Sequence, residues 1–226
     1  MNGTSVSFQA NGHSCKGHLS IPQSGSGPGV IVLQEWWGLV DHIKDVVGRF
    51  SEAGFTALAP DLYHGESTTH PDDAGRMMMA LNITETAKDL AGAVSFLADH
   101  EAVSSDRIGT VGFCMGGQLS LFAACTNDQI GACVDFYGIH PNVQPDFANL
   151  SAPVLGIFAE LDEFVTPENA NELRSRLESH GHSPKFHIFP SVNHAFFNDS
   201  RPDVYDAAAA EKAWGLVAGF FSENLT

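Results

Sequence analysis

The chain has 226 residues, 43% of them apolar, and a net charge of −16 with only 11 Lys and Arg. That length and apolar content suit one α/β domain with a full core, and the acidic field repels phosphate backbones, which excludes nucleic acid as a natural partner. No stretch approaches the roughly 18–20 apolar residues of a membrane span, and Met1-Asn2-Gly3-Thr4 opens without a basic or apolar leader, so a cytoplasmic monomer with no membrane partner is expected.

Residues 6–10, the pair Asn11-Gly12 and residues 15–21 read as a β-hairpin with a tight turn. Residues 23–29, all Gln, Ser, Gly and Pro, make a loop. Residues 30–34 are a continuous apolar strand, the kind buried on both faces of a parallel sheet. Asp41 is placed to cap a helix whose apolar positions Ile43, Val46, Val47 and Phe50 recur at helical spacing, with Gly54 as its stop. Residues 55–59 form the next strand, closed by Pro60, and residues 61–75 a polar loop. Helical periodicity resumes near Asp73 and runs, in one piece or two, to about His100. The order then repeats: strand 108–113, helix 115–125, strand 132–137, strand 154–159. A helix follows over 167–180, capped by Thr166 and stopped by Gly181. Strand 186–189 and a final helix over 203–221 complete the chain. Strands alternating with helices give a mostly parallel, doubly wound sheet covered on both faces, with an antiparallel hairpin at one edge. A single domain over 1–226 is expected.

The four cysteines show no CxxC spacing, and a chain of this size needs no disulfide staples. Cys15, Cys125 and Cys133 read as small apolar fillers. The 11 histidines form no H-x-x-x-H or H-E-x-x-H pair, so no metal site is indicated.

Gly112-Phe113-Cys114-Met115-Gly116 sits where a strand meets a helix. That is the layout of a nucleophile elbow, with cysteine in place of the usual serine. Gly112, Gly116 and Gly117 supply the small residues that so tight a turn requires. The plain alternative is one more buried thiol. An acyl-transfer site needs a base and an orienting acid as well. In α/β hydrolases these follow the nucleophile in the order acid, then His, each beyond a strand's C-terminal end. Asp162 follows strand 154–159, with Glu160 and Glu163 as local competitors. His194 follows strand 186–189, with His187 and His182 as weaker candidates. An oxyanion hole needs two backbone N–H groups: Met115 supplies one, and the Gln34-Glu35-Trp36-Trp37-Gly38 loop the other. Glu35 reads either as a structural acid or as a partner that holds or protonates Cys114. Trp36 and Trp37 read as an aromatic wall, or one of them as core.

Five segments carry a resemblance: Gln34-Glu35-Trp36-Trp37-Gly38-Leu39, Ala59-Pro60-Asp61-Leu62-Tyr63-His64-Gly65, Gly112-Phe113-Cys114-Met115-Gly116-Gly117, Glu160-Leu161-Asp162 and Asn193-His194-Ala195-Phe196. In this order, along nearly the whole chain, they resemble the dienelactone hydrolase (carboxymethylenebutenolidase) family. The resemblance implies the α/β-hydrolase fold, a Cys114–His194–Asp162 triad and oxyanion donors at the backbones of Trp36 and Met115. It also implies a Glu35 that keeps the thiol uncharged until substrate displaces their contact. The implied reaction opens an enol lactone to maleylacetate, in aromatic catabolism, without metal or cofactor. Tyr137 matches a pocket tyrosine; Trp37 and Phe197 join it as candidate substrate contacts, and Arg76 and Arg201 are candidate partners for a substrate carboxylate. The sequence departs from the pattern at Asn198, where the family carries one of two arginines, and at Ala195, where it carries serine. These departures keep a broad small-ester carboxylesterase as an alternative. A non-catalytic, redox-sensing thiol protein is a more distant one.

Overall fold

The apolar runs of the sequence become the strands of one sheet. In the computed structural model, which describes residues 3–10 and 12–225, the strands are Thr4–Ala10 (β1), His13–Ser20 (β2), Gly29–Leu33 (β3), Thr56–Pro60 (β4), Ile108–Phe113 (β5), Ile130–Phe136 (β6), Val154–Ala159 (β7) and Lys185–Phe189 (β8). Their spatial order is β1-β2-β4-β3-β5-β6-β7-β8. β1 and β2 pair antiparallel, β2 runs antiparallel to β4, and every later pairing is parallel. This is the α/β-hydrolase arrangement expected from the alternation of elements. The hairpin register joins Ala10 to His13; Asn11 of its expected turn lies outside the described residues, as do Met1, Asn2 and Thr226.

The helices are Asp41–Glu52 (α1), Pro71–Ala80 (α2), Ile83–Ala98 (α3), Met115–Thr126 (α4), Pro167–Ser179 (α5) and Ala207–Asn224 (α6). The two sides of β3 show why the sheet is covered on both faces. Val30 and Val32 pack with α1 and α6, while Ile31 and Leu33 pack with α3 and α4. All five β3 residues are buried, and each buried Val, Ile or Leu side chain contributes about 1.5–3 kcal/mol.

Two helix starts differ from the sequence expectation and one open division is decided, each for a local reason. Val40, with no side-chain cap, precedes α1, and Asp41 is instead its first helical residue, where its charge still favours the helix N-terminus. The helical stretch from residue 71 divides at Leu81 and Asn82, because the Asn82 side chain accepts from Thr84 and Glu85 N–H and starts α3. The last helix begins at Ala207 rather than at Asp203. Asp206 caps it by accepting from the Ala209 N–H at 2.9 Å, and Asp203 instead pairs with Arg201. Thr166 caps α5 as expected, in a reciprocal capping box with Asn169. Among the described residues no helix is long and apolar enough to cross a membrane.

One core acid has a measurable consequence. Asp135 on β6 is fully buried, its carboxyl lying against the backbones of Gly117 and Gly138. Burial pushes its pKa up to about 7, with only a partial offset from the Gly138 backbone. The folded chain therefore keeps this proton up to about pH 7, while the unfolded chain loses it near the ordinary value of 3.8. Stability from this group is full below the lower value and is lost as pH rises toward 7. Asp135→Asn is expected to flatten that slope and to raise the Tm by several degrees at pH 8 but little at pH 4. Parallel Tm-against-pH curves for the two proteins would remove Asp135 as the cause.

Candidate functional site

The strand ends of the sheet bring the candidate residues together. Glu35 follows β3, Cys114 follows β5, Tyr137 follows β6, Asp162 follows β7 and His194 follows β8. All lie beyond the C-terminal ends of parallel strands, where sheet ligands bind.

Cys114 holds φ 54° and ψ −119°, a sparsely populated conformation for a side-chain-bearing residue. Three backbone bonds fix it: its N–H donates to Phe136 at 3.0 Å, and its carbonyl accepts from Gly117 at 2.9 Å and Ile139 at 3.1 Å. The flanking glycines are needed for contact, not for turn dihedrals. A Cβ at Gly112 would overlap the Gly116 carbonyl, and one at Gly116 would lie 2.5 Å from the Leu33 carbonyl oxygen.

Asp162 is buried, and its two oxygens do different work. Oδ1 accepts from Phe164 N–H at 2.8 Å and Val165 N–H at 2.9 Å, which orients the carboxylate. Oδ2 then meets His194 Nδ1 at 2.7 Å. The expected competitors are engaged elsewhere: Glu160 accepts from Ser191 N–H, Glu163 is exposed, and His182 meets the Phe147 carbonyl. His187 stays within β8.

Cys114 lies beside His194 and acts on its imidazole together with Asp162. Burial alone lowers an imidazole pKa, but Asp162 and Cys114 together outweigh it and raise His194 to about 10. A protonated imidazole is thus favoured beside the thiol, the partner a thiolate requires. The rings of Tyr137 and Phe164 pack on it at 4.8 and 5.2 Å. By contrast, burial pushes the Cys15, Cys125 and Cys133 thiols up to about 12, so these three stay protonated.

Glu35 is buried, and burial raises its pKa against the opposing effects of His42, His194, Asn198 and Arg201. Asn198 Nδ2 donates to its Oε2 at 2.7 Å. The residue that replaces a family arginine therefore holds Glu35. Sequence spacing could not reveal this contact, since 163 residues separate the two.

A cleft of about 360 Å³ opens over Cys114 and His194, with walls from Trp36, Trp37, Met78, Ile139 and Phe164 and with Glu35 and Arg201 also bordering it. The Trp36 and Trp37 rings meet edge to face at 5.1 Å, so both tryptophans form the aromatic wall. Met78, from α2, and Phe164, from the loop after β7, were not anticipated. Three of the expected substrate contacts lie outside this cleft. Arg76 is exposed on α2, paired with Asp73, and outside this cleft. Phe197 is core, stacked on Phe113 and packed at a tilt on Phe136. Tyr137 is fully buried behind His194. The N–H groups of Trp36 and Met115 make no backbone hydrogen bond among the described residues.

The dienelactone hydrolase family model matches residues 15–225. "Protein usf" of Aquifex pyrophilus is 40% identical over 99% of this chain and 100% of its own length. A relative from Aquifex aeolicus strain VF5, named "Putative carboxymethylenebutenolidase", is 34% identical over 99% of each chain. A crystal structure from Klebsiella pneumoniae, described as "Putative Dienelactone Hydrolase", superposes with a TM-score of 0.86 at 25% identity, covering 98% of this chain and 99% of that one. With the α/β-hydrolase sheet and this site, the chain belongs to the dienelactone hydrolase family and is a carboxylic ester hydrolase.

Proposed function

We propose that the protein opens a small enol lactone, of the dienelactone type, by covalent catalysis at Cys114. The observation that carries this reading is the Asp162–His194 pair facing one apolar cleft with Cys114, a thiol held at a strained elbow. Asp162 fixes the imidazole, and His194 takes the thiol proton. The thiolate attacks the acyl carbon, and the Trp36 and Met115 N–H groups receive the developing oxyanion. The lactone C–O bond breaks, His194 protonates the leaving enol oxygen, and water then cleaves the thioester to release the acid and restore the thiol. Glu35, held by Asn198, is a buried acid beside this centre and a candidate gate on the thiol.

Arg201 is the group at the cleft suited to a substrate carboxylate; its guanidinium currently pairs with Asp203 at 2.8 Å. The position of Arg76 outside the cleft favours a second reading, a broader small-ester carboxylesterase that needs no carboxylate. Kinetics with a carboxylate-bearing enol lactone and its neutral methyl ester separate the two. Under the first reading, Arg201→Ala raises KM for the acid about tenfold or more, the worth of one charge-assisted hydrogen bond, and leaves the neutral ester unchanged. If the wild type prefers the neutral ester and Arg201→Ala affects both alike, the carboxylesterase reading stands.

A further inference from the structure

A second cluster lies away from Cys114, at the hairpin end of the sheet. Asp89, on α3, is buried, yet among the described residues its partners include no Lys or Arg. His13 Nε2 on β2 meets its Oδ1 at 2.8 Å, and His64 Nε2 from the loop after β4 meets its Oδ2 at 3.2 Å. The three potential ligand atoms all lie within 4.8 Å of one another. Cys15 Sγ donates to the same Oδ1 at 3.2 Å, so the carboxylate is oriented from behind. The acidic side chains of Asp61 and Glu85 also act on this cluster.

We propose that His13, His64 and Asp89 bind one divalent transition-metal ion of the zinc class. Two imidazole nitrogens and one carboxylate oxygen are borderline donors, a set that favours zinc, cobalt or nickel over magnesium or calcium, which take oxygen ligands. Donor atoms on a tetrahedral zinc stand roughly 3.3 Å apart, given bonds of about 2.0–2.1 Å. His13 and His64 meet different oxygens of the one carboxylate at 2.8 and 3.2 Å, and no two of the three ligand atoms are more than 4.8 Å apart, so side-chain rotations of the two partly exposed histidines bring the set toward that spacing. Cys15 is the outer-sphere partner that metal-bound carboxylates usually have. His64 and Asp89 line a cleft of about 510 Å³, which gives the ion an entry path and leaves a coordination position open to water. A bound cation would also offset the buried Asp89 charge more fully than two imidazoles.

The three ligands come from β2, a loop and α3, so occupancy would tie the hairpin edge to the helix layer. The test is calorimetric titration of chelator-treated protein with Zn²⁺ alone, with Co²⁺ absorption as a second readout of nitrogen ligation. Wild type and Cys114→Ala are expected to bind one Zn²⁺ per chain, with a raised Tm. His64→Ala and His13→Ala should bind at least tenfold more weakly, since outer-sphere changes alone cost about 10–100-fold. Both changed side chains are partly exposed, and ester hydrolysis by these variants, unchanged within about twofold, reports an intact fold. No stoichiometric Zn²⁺ binding by the wild type, or equal affinity in both histidine variants, overturns the proposal. Binding that vanishes in Cys114→Ala would assign the ion to the thiol site and overturn it as well.

Discussion

Replacing Cys114 with alanine is expected to lower kcat for small activated esters and lactones by at least about 10³-fold while leaving the Tm nearly unchanged. The loss follows from removing the only group at the elbow able to form a covalent intermediate. What remains is oxyanion binding and His194, which in triad hydrolases retain a small acceleration over water. The fold should survive because the substitution deletes one sulfur at a nearly buried position and keeps the Cβ that the elbow already accommodates. A substrate-free readout accompanies it. Cys114 is one of the two side chains that hold the His194 pKa near 10, so the variant should titrate His194 at a lower pH by NMR. A kcat within tenfold of wild type would sink the thiol mechanism, whatever the fold does. An unmoved His194 pKa would show instead that Cys114 does not act on His194 in solution.

The parts of this site that were legible in the sequence share one property: their signal is local. The apolar runs of β3, β5 and β7 are each buried over their whole length, so hydrophobic continuity alone locates them. The elbow is readable because its steric demand falls on residues two before and two or three after Cys114. Asp162 and His194 are readable because a strand end precedes each, and chain order then assigns their roles. Long-range pairings left no such trace. Asn198 holds Glu35 across the sheet, and its sequence position announces only a missing arginine. The resemblance offers Arg76 as a carboxylate partner, but on α2 it pairs with Asp73, three residues before it. Phe197 shares a loop with His194, but the chain turns between them at Ala195, whose φ is 63°, and directs Phe197 into the core. His13, His64 and Asp89 span 76 residues, and no spacing motif could have joined them. The same holds for Cys15, which reads as filler and is in fact a donor to Asp89.

Gly112→Ala is expected to cost more stability than any other single methyl added to this protein, above the ~4 kcal/mol that marks an exceptional point mutation. The added Cβ would overlap the carbonyl carbon and oxygen of Gly116 and lie 2.8 Å from the Gly117 nitrogen. These are backbone atoms of the first turn of α4, so no rotamer change relieves the clash. Either β5 or α4 must shift. The same methyl at Gly215 on α6 meets nothing within 4 Å and should stabilise by about 0.8–1 kcal/mol, the helix-interior difference between Gly and Ala. Urea unfolding of both variants separates the elbow's steric demand from a general intolerance of alanine. Function should respond before the fold is wholly lost. Cys114 keeps its strained dihedrals because its N–H and carbonyl are bonded to Phe136, Gly117 and Ile139, and moving α4 loosens the bond from Gly117. Any folded Gly112→Ala fraction should therefore hydrolyse at least tenfold more slowly and titrate His194 lower, because the thiol no longer meets the imidazole. Near-wild-type stability with full activity would mean that the strand-to-helix turn at Cys114 is not as tight as the packing of Gly112 against Gly116 requires.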